Sequence, residues 1–211
     1  MSSSSPCYAV LDFETSGLSP AVGSRATEIA VVLWQDGREV DHYQSLMNAG
    51  VRVPAQIEQL TGISNAMLRS APPVATVMRE VADFVGDLPL VAHNAAFDRK
   101  FWDHELGLLG RQRRQDFACT LLLARRLLPQ APDHKLGTLT RWAGLPDAGR
   151  AHRALADARM AAQLLQYLLE TAERKHGARQ LDHRQLCQLQ KVSAAKVADF
   201  FATGCSVRQT A

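Results

Sequence analysis

Five residues stand out in this sequence because their types and positions suit catalysis. Asp12 and Glu14 end one apolar run, Asp98 comes just after a second, and Asp157 follows His152 by five positions. Carboxylates beside an apolar run are costly to bury unless a cation compensates their charge. If the four carboxylates converge, a divalent metal is the simplest way to stabilise them, and oxygen ligands favour Mg²⁺ or Mn²⁺ over zinc or copper. The pattern therefore indicates metal-dependent phosphoryl transfer.

Apolar periodicity and turn signals predict the elements that position these residues. We expect strands at 8–13, 26–34, 39–47 and 88–93, helices at 54–60, 74–85, 96–108, 120–128, 136–143 and 154–174, and a hairpin turn at Asp36-Gly37. Alternation along the first strand directs Asp12 and Glu14 to one face, and helices begin just before Asp98 and Asp157. A strand meander followed by alternating strands and helices predicts an α/β fold, with a mixed central β-sheet flanked by α-helices.

The sequence around these residues resembles the three motifs of the DEDDh family of 3′–5′ exonucleases. This is the superfamily of the polymerase epsilon proofreading subunit, exonuclease X, RNase T and oligoribonuclease. The motif stretches are Asp12-Phe13-Glu14-Thr15-Ser16-Gly17-Leu18, His93-Asn94-Ala95-Ala96-Phe97-Asp98 and His152-Arg153-Ala154-Leu155-Ala156-Asp157. Relatives with a tyrosine base carry it four residues before the last aspartate, where this chain has Arg153. The histidine subclass places its base five before, at His152. The resemblance covers roughly residues 7–172 and implies an RNase H-like fold.

The resemblance also implies a role for each of the five residues. Asp12, Glu14 and Asp157 hold one metal ion, Asp12 mainly holds a second, and Asp98 acts through bound water, which gives two Mg²⁺ or Mn²⁺ ions per active site. His152 is the general base, because an imidazole titrates near neutral pH. The implied reaction hydrolyses the phosphodiester bond at the 3′ end of a single strand and releases nucleoside 5′-monophosphates by a two-metal mechanism.

Substrate contacts follow from the resemblance alone. They lie in the first two motifs and in a Thr-Gly-Ile segment, and comprise Thr15, Gly17, Leu18, Thr61, Asn94 and Phe97. Some relatives carry His-Gly-Ile where this chain has Thr61-Gly62-Ile63, and a threonine is a weaker hydrogen-bonding partner, so the nucleotide preference is open. For Phe97, packing in the core explains the residue as well as a place in the pocket does.

Length and composition describe one domain. The chain has 211 residues, 46% of them hydrophobic and 21% charged, which is enough for one packed α/β domain and too little for two. We expect a disordered N-terminus at 1–6, an exonuclease domain at 7–176 and a C-terminal helical tail at 177–211, with a linker at 177–182 and one helix at 184–201. Apolar runs are too short to span a membrane and the start lacks a signal-peptide pattern, which predicts a cytoplasmic location and free thiols at the four cysteines.

The charge pattern leaves the partners open. A net charge of +3 is too small to imply nucleic acid by itself, but arginines cluster at 111–114 and at 125–126. Arginine suits phosphate contact, although a solvated helix face explains each cluster equally well. Two alternatives remain: an RNase that trims RNA 3′ ends, and a non-catalytic module that binds a polymerase. The sequence decides neither DNA against RNA, nor proofreading against repair, nor whether the chain forms a homodimer or binds a DNA polymerase.

Overall fold

A mixed five-stranded β-sheet forms the centre of the molecule and confirms the predicted fold class. The computed structural model describes residues 6–146, 149, 152–179 and 181–204. The strands, in the spatial order β3-β2-β1-β4-β5, are β1 Tyr8–Thr15, β2 Ala26–Gln35, β3 Arg38–Leu46, β4 Leu90–Ala92 and β5 Phe117–Cys119. The first three form an antiparallel meander, and β4 and β5 add to it in parallel. Asp36 and Gly37 between β2 and β3 have φ angles of 52° and 75°, as a tight hairpin turn requires.

Helices cover both faces of this sheet. In the described part of the chain they are α1 Ala55–Thr61, α2 Asn65–Ser70, α3 Val74–Val85, α4 Ala96–Gly107, α5 Thr120–Leu127, α6 Leu136–Trp142, α7 Ala154–His176, α8 His183–Leu189 and α9 Val197–Gly204. Short 3-10 turns lie at Pro20–Val22 and Ala194–Lys196. Apart from the tail, every predicted strand and helix lies within two residues of its observed ends.

The two faces of the sheet bury separate apolar clusters. Tyr8 and Val10 of β1 pack with residues of α5 to α9 on one face. Ala9 and Leu11 pack with α3 and α4 on the other. This division follows from the alternation of side chains along a strand. Even-numbered positions of β1 therefore face α7, which packs across β1 and β2.

The parallel pairing of β1 with β4 sets the place of the site. Ala9 pairs with Leu90 and Val10 with Val91, so the two strands end at the same edge of the sheet. The first motif begins within the last residues of β1, and the second begins directly after β4. Because the carboxyl ends of neighbouring parallel strands lie side by side, the chain brings both motifs together there.

The sequence analysis did not predict β5 and α2, and it predicted α8 and α9 as one helix. Strand β5 has only three residues and continues directly into α5, and α2 has only six, so the sequence pattern of neither is distinct from that of its surroundings. The single helix predicted at 184–201 is wrong, because α8 ends at Leu189 and α9 begins at Val197, with the 3-10 turn between them. The apolar positions in this segment do pack in the core, but they belong to two separate helices.

The C-terminal helices pack on the sheet. Leu186 and Leu189 of α8 are buried in the apolar cluster on the α7 face. Beyond them, Gln190 accepts a hydrogen bond from the backbone N of Cys119 at 2.7 Å and donates one to the carbonyl of Phe117 at 3.0 Å. One side chain thus satisfies two backbone groups at the edge of β5, which would otherwise be open to another strand. The division of the chain at residue 176 stays a sequence-based prediction.

Several sequence predictions concern residues outside the described ranges. These are residues 1–5 of the N-terminus expected to be disordered, residue 180 of the expected linker, and Cys205 with the end of the tail. Cys7, Cys119 and Cys187 are free thiols, as predicted. Among the helices that the structure describes, each is too short or too polar to cross a membrane.

Candidate active site

Strand β1 delivers Asp12 and Glu14 to the α7 face at its carboxyl end. Both positions share the parity of Tyr8 and Val10, whose side chains pack beneath α7. Glu14 is buried, with 9% of its surface exposed, and Asp12 is partly buried. A register shift between Glu14 and Thr15 interrupts the pairing with β2 at this point. Such an irregularity bends a strand and redirects its side chains, as is common beside active sites.

Asp98 reaches the same place from α4. It lies in the first turn of that helix and is 2% exposed. Its Oδ1 accepts a hydrogen bond from the backbone N of Phe13 at 3.2 Å. Because Phe13 stands between Asp12 and Glu14, this bond fixes the second motif against the first.

The start of α7 supplies His152 and Asp157. Asp157 lies in the first turn, and its backbone N donates to the carbonyl of Arg153 at 3.0 Å. Its Oδ2 accepts a hydrogen bond from the backbone N of His152 at 3.1 Å. His152 is exposed and has a φ of 61°, a conformation that costs free energy for a residue with a side chain. The bond to Asp157 helps hold this strained turn, which places the imidazole beside the carboxylate.

Three of the predicted catalytic residues lie very close together. One ligand atom each from Glu14, His152 and Asp157 lie within 4.8 Å of one another. Asp12 and Asp98 are not part of this group of three, but they lie close enough that the charges of Asp98 and Asp157 raise the pKa of Asp12 and the charge of Asp157 raises that of Asp98, each in addition to the larger effect of burial. The fold therefore brings all five residues to one edge of the sheet.

Burial and mutual repulsion raise the carboxyl pKa values of the cluster. Burial, and then the charge of Asp98, raises the pKa of Asp12 well above its usual range. Burial, and then the charge of Asp157, raises the pKa of Glu14 to about 8. Burial raises the pKa of Asp98 to about 7. Carboxyls that retain protons near neutral pH for these reasons are the groups whose charges a divalent cation would neutralise.

The donor set fits a hard divalent cation. Four carboxylates approach from β1, α4 and α7, with one imidazole beside two of them. Arg153 lowers the pKa of Glu14, but its guanidinium is already paired with another carboxylate, that of Glu28. Oxygen-rich sites of this kind suit Mg²⁺ or Mn²⁺.

Glu28 is a site residue that the sequence analysis did not identify. It is completely buried and lies opposite Glu14 in the pairing of β1 with β2. Its carboxylate accepts hydrogen bonds from Nε and Nη2 of Arg153 at 3.2 and 2.9 Å, and from the backbone N of Ala154 at 3.2 Å. This buried, two-pronged ion pair joins the sheet to the first residues of α7. It therefore fixes the segment that carries His152.

A signal for this pair exists in the sequence. Glu28 stands inside the otherwise apolar strand Ala26–Gln35, and a buried carboxylate requires a partner. In the motif pattern, Arg153 only marks the position where the tyrosine subclass would carry its base. The partner could not be assigned because the two residues are 125 positions apart.

Thr15, Gly17 and Leu18 form the loop that leaves β1. The Thr15 hydroxyl donates to the carbonyl of Gly17 at 2.7 Å. A Cβ on Gly17 would lie 2.5 Å from Oγ of Ser24, so the loop closes on itself only with glycine there. The Leu18 side chain is 80% exposed, and Lys100 donates from Nζ to the Leu18 carbonyl at 3.3 Å. The loop therefore presents a fixed backbone and one free apolar side chain next to the carboxylates.

The other predicted contact residues differ in what they expose. Asn94 is exposed, has a φ of 61°, and accepts a hydrogen bond at its carbonyl from the backbone N of Phe97 at 2.8 Å. Phe97 is half-buried against a neighbouring ring of α4. Thr61 is 2% exposed; its hydroxyl donates to the carbonyl of Ile57 at 2.9 Å and accepts from the backbone N of Ile63 at 3.1 Å. The Thr61 hydroxyl is therefore engaged within its own segment.

Comparison with known proteins agrees with this geometry. The RNase T family model, described as Exonuclease, matches residues 9–165. The DNA polymerase III PolC-type protein of Bacillus subtilis (strain 168) is 36% identical over 170 residues, and the 3′-5′ exonuclease DinG of the same organism is 33% identical over 193 residues. These matches cover 80% and 91% of this chain but 12% and 20% of the relatives. The chain thus spans only a small part of the length of either.

A solved structure extends the likeness over nearly the whole chain. Exonuclease X in complex with 5′ overhanging duplex DNA is similar with a TM-score of 0.66 and 26% sequence identity. The match covers 92% of this chain and 99% of that one. The two chains therefore share the arrangement of sheet and helices that brings the motif residues together.

Proposed function

Because the chain belongs to the RNase T exonuclease family, whose model matches residues 9–165, we propose that it is a metal-dependent 3′–5′ exonuclease of the DEDDh type acting on single-stranded nucleic acid. It hydrolyses the last phosphodiester bond of the strand and releases nucleoside 5′-monophosphates. The observation that carries the proposal is the group of Glu14, His152 and Asp157 within 4.8 Å. Asp12 and Asp98 complete a set of four carboxylates and one imidazole around it.

The carboxylates of Asp12, Glu14, Asp98 and Asp157 would hold two Mg²⁺ or Mn²⁺ ions. Bound ions of this kind neutralise charge on a scissile phosphate and on its leaving oxygen. The protein's own contribution is to place the four carboxylates before substrate arrives. Two observations support this placement: the hydrogen bond from the backbone N of Phe13 to Asp98, and the position of Glu14 within β1.

His152 is proposed as the general base. Its ring lies within 4.8 Å of carboxylate oxygens of Glu14 and Asp157, which orient the imidazole and stabilise the imidazolium that forms. It takes a proton from the attacking water as the water oxygen bonds to phosphorus. The bond to the 3′ oxygen of the preceding nucleotide breaks, and that oxygen leaves with the electron pair. Because His152 is exposed, the proton passes on to solvent.

The terminal nucleotide is proposed to lie against the loop after β1. Thr15 and Gly17 offer backbone groups to it, and the exposed Leu18 side chain packs on its base. Phe97 and Asn94 flank the same side at the start of α4. Thr61 contributes through the shape of its segment, since its hydroxyl is engaged elsewhere. A pocket closed around one nucleotide explains attack from a strand end.

DNA is named with two of the relatives described above, the DNA polymerase III PolC-type protein and the complex of exonuclease X with 5′ overhanging duplex DNA. We therefore propose single-stranded DNA 3′ ends as the substrate, with a role in proofreading or repair. Trimming of RNA 3′ ends is the alternative within the same chemistry, and a non-catalytic module that binds a polymerase is the alternative outside it. A DNA polymerase partner, a homodimer and the cytoplasmic location are likewise proposals.

A direct test compares labelled oligomers. The purified protein with Mg²⁺ is incubated with 5′-labelled DNA and RNA of one sequence, single- and double-stranded. We expect mononucleotide release from the 3′ end, strong slowing by a 3′ phosphate, and loss of turnover in excess chelator or with Asp12→Asn. Rapid cutting of a circular single strand, or turnover in chelator, would contradict the proposal. Faster release from RNA than from DNA would favour the RNA alternative.

A further inference from the structure

A pocket opens beside the catalytic cluster, and its walls other than His152 and Asp157 have no role in the proposed mechanism. Its volume is about 730 Å³, which is in the range of ligand sites. His152 and Asp157 lie on one side of it, and α6 with the residue before it forms another, through Lys135, Thr138 and Arg141. The residues assigned to the terminal nucleotide do not line it. The pocket therefore adjoins His152 and Asp157 on a side that the loop after β1 does not form.

Lys135 and Arg141 bring two positive charges to this pocket. Both residues are exposed, and neither takes part in the ion pairs found among the described residues. The backbone N–H of Lys135 and, to a smaller extent, its charge lower the pKa of Asp133, but the two side chains form no ion pair. By contrast, Arg153 and Arg159 at the start of α7 are each held by a glutamate of the sheet. Lys135 and Arg141 are thus available to an anion in the pocket, whereas Arg153 and Arg159 are already engaged.

The backbone around Lys135 is fixed by the strand that carries the second motif. His93 follows β4; its Nε2 donates to the carbonyl of His134 at 3.1 Å, and its Nδ1 lies 2.9 Å from Oγ1 of Thr120. The Asp133 carboxylate accepts from the backbone N of Lys135 at 2.8 Å. Burial lowers the pKa of His93 to about 4, so the ring stays neutral and keeps both contacts near pH 7. The wall of the pocket is therefore set relative to the catalytic edge.

We propose that Lys135 and Arg141 bind the phosphodiester backbone on the 5′ side of the scissile bond. The inference rests on the proposed function, because it needs a scissile phosphate beside His152 and Asp157. That phosphate joins two nucleotides. The terminal one is assigned to the loop after β1, so the remaining strand must leave along another wall.

The chemistry of the two side chains defines what they recognise. An ammonium and a guanidinium bind phosphates whatever the base or the sugar. The subsite therefore adds affinity without sequence preference, and adds it equally for DNA and RNA. Each phosphate contact also releases counterions, so binding to the subsite should weaken as salt rises.

The test measures affinity in chelator, where no strand is cut. A 5′-fluorescein single-stranded 12-mer, as DNA and as RNA, is titrated with wild type and with Lys135→Gln/Arg141→Gln, and anisotropy is followed at several salt concentrations. We expect the double variant to bind about 10-fold or more weakly. Two lost phosphate contacts should reduce the slope of log K against log salt by about 1.4. The loss should be larger for the 12-mer than for a dinucleotide.

Two further variants separate charge at this site from other effects. Arg184→Gln/Lys196→Gln makes the same charge change at exposed positions of the C-terminal segment and should keep wild-type affinity. Lys135→Arg/Arg141→Lys keeps both charges and should keep most of the affinity, which shows that the pocket wall has not collapsed.

The inference is overturned if Lys135→Gln/Arg141→Gln binds the 12-mer with wild-type affinity and salt slope. It is equally overturned if the charge-keeping variant loses as much affinity, or if the dinucleotide and the 12-mer lose the same factor. Release of mononucleotides in Mg²⁺ is measured separately. A wild-type protein that binds but does not cut contradicts the proposed function, whereas unchanged affinity in a protein that cuts contradicts only this inference.

Discussion

Replacing Glu14 by glutamine should stabilise the metal-free protein at high pH while removing its activity. The carboxyl is 9% exposed, and burial, then the charges of Asp157 and Glu28, raise its pKa to about 8 from the ordinary glutamate value of 4.5. The folded state thus binds this proton more tightly than the unfolded state does. Stability contributed by the protonated carboxyl is full below about pH 4.5, decreases as pH rises, and is lost above about pH 8.

The size of the effect follows from the same pKa. A difference of about 3.5 pH units, at 1.36 kcal/mol each, corresponds to about 5 kcal/mol. Protonation of neighbouring carboxyls relieves part of the same repulsion, so we expect Glu14→Gln to gain about 2 to 4 kcal/mol at pH 9. At pH 4.5 the folded protein already carries the proton, and the gain should be under about 1 kcal/mol.

Urea unfolding in chelator at both pH values measures this gain. Glu170→Gln, at an exposed position of α7, is the control and should change the free energy of unfolding little at either pH. Mn²⁺ should then stabilise the wild type more than Glu14→Gln at pH 9, because it binds the folded carboxylates. The reasoning is refuted if the gain of Glu14→Gln is the same at pH 4.5 and pH 9.

Three further outcomes test other parts of the molecule. His152→Ala should slow turnover by about 10² to 10⁴-fold yet keep Mn²⁺ affinity in calorimetry; a loss equal to that of Asp157→Ala would make His152 a ligand. Glu28→Gln should lower kcat and reduce the free energy of unfolding in urea by about 1 to 3 kcal/mol. Glu39→Gln breaks the more exposed pair with Arg159 and should keep kcat. Equal losses of kcat in the two variants would show that the pair of Glu28 with Arg153 has no special role. Gln190→Ala should cost about 1 to 3 kcal/mol, because two backbone groups of β5 lose their partner, with turnover per folded molecule unchanged; unaltered stability would show that water replaces the side chain.

Local patterns in the sequence were enough to predict the candidate catalytic residues and the strands and helices that carry them. Asp12 and Glu14 share a face because a strand has a period of two, and this holds whatever the strand packs against. The helix starts before Asp98 and Asp157 were likewise readable from local periodicity. The family resemblance added the order of the five residues and the expectation of a sheet in which the motifs meet.

How these groups are held in place and which charges they carry depends on contacts between residues far apart in the sequence. Glu28 and Arg153 are 125 positions apart, and Gln190 lies 71 positions from the strand residue whose N–H it accepts. Three-dimensional packing brings such partners together, and local periodicity in the sequence carries no information about it. The raised pKa values of Asp12, Glu14 and Asp98 likewise arise from burial and from the charges of neighbouring carboxylates, Asp157 among them. Desolvation and charge proximity exist only once the chain has folded, so no spacing in the sequence could supply them.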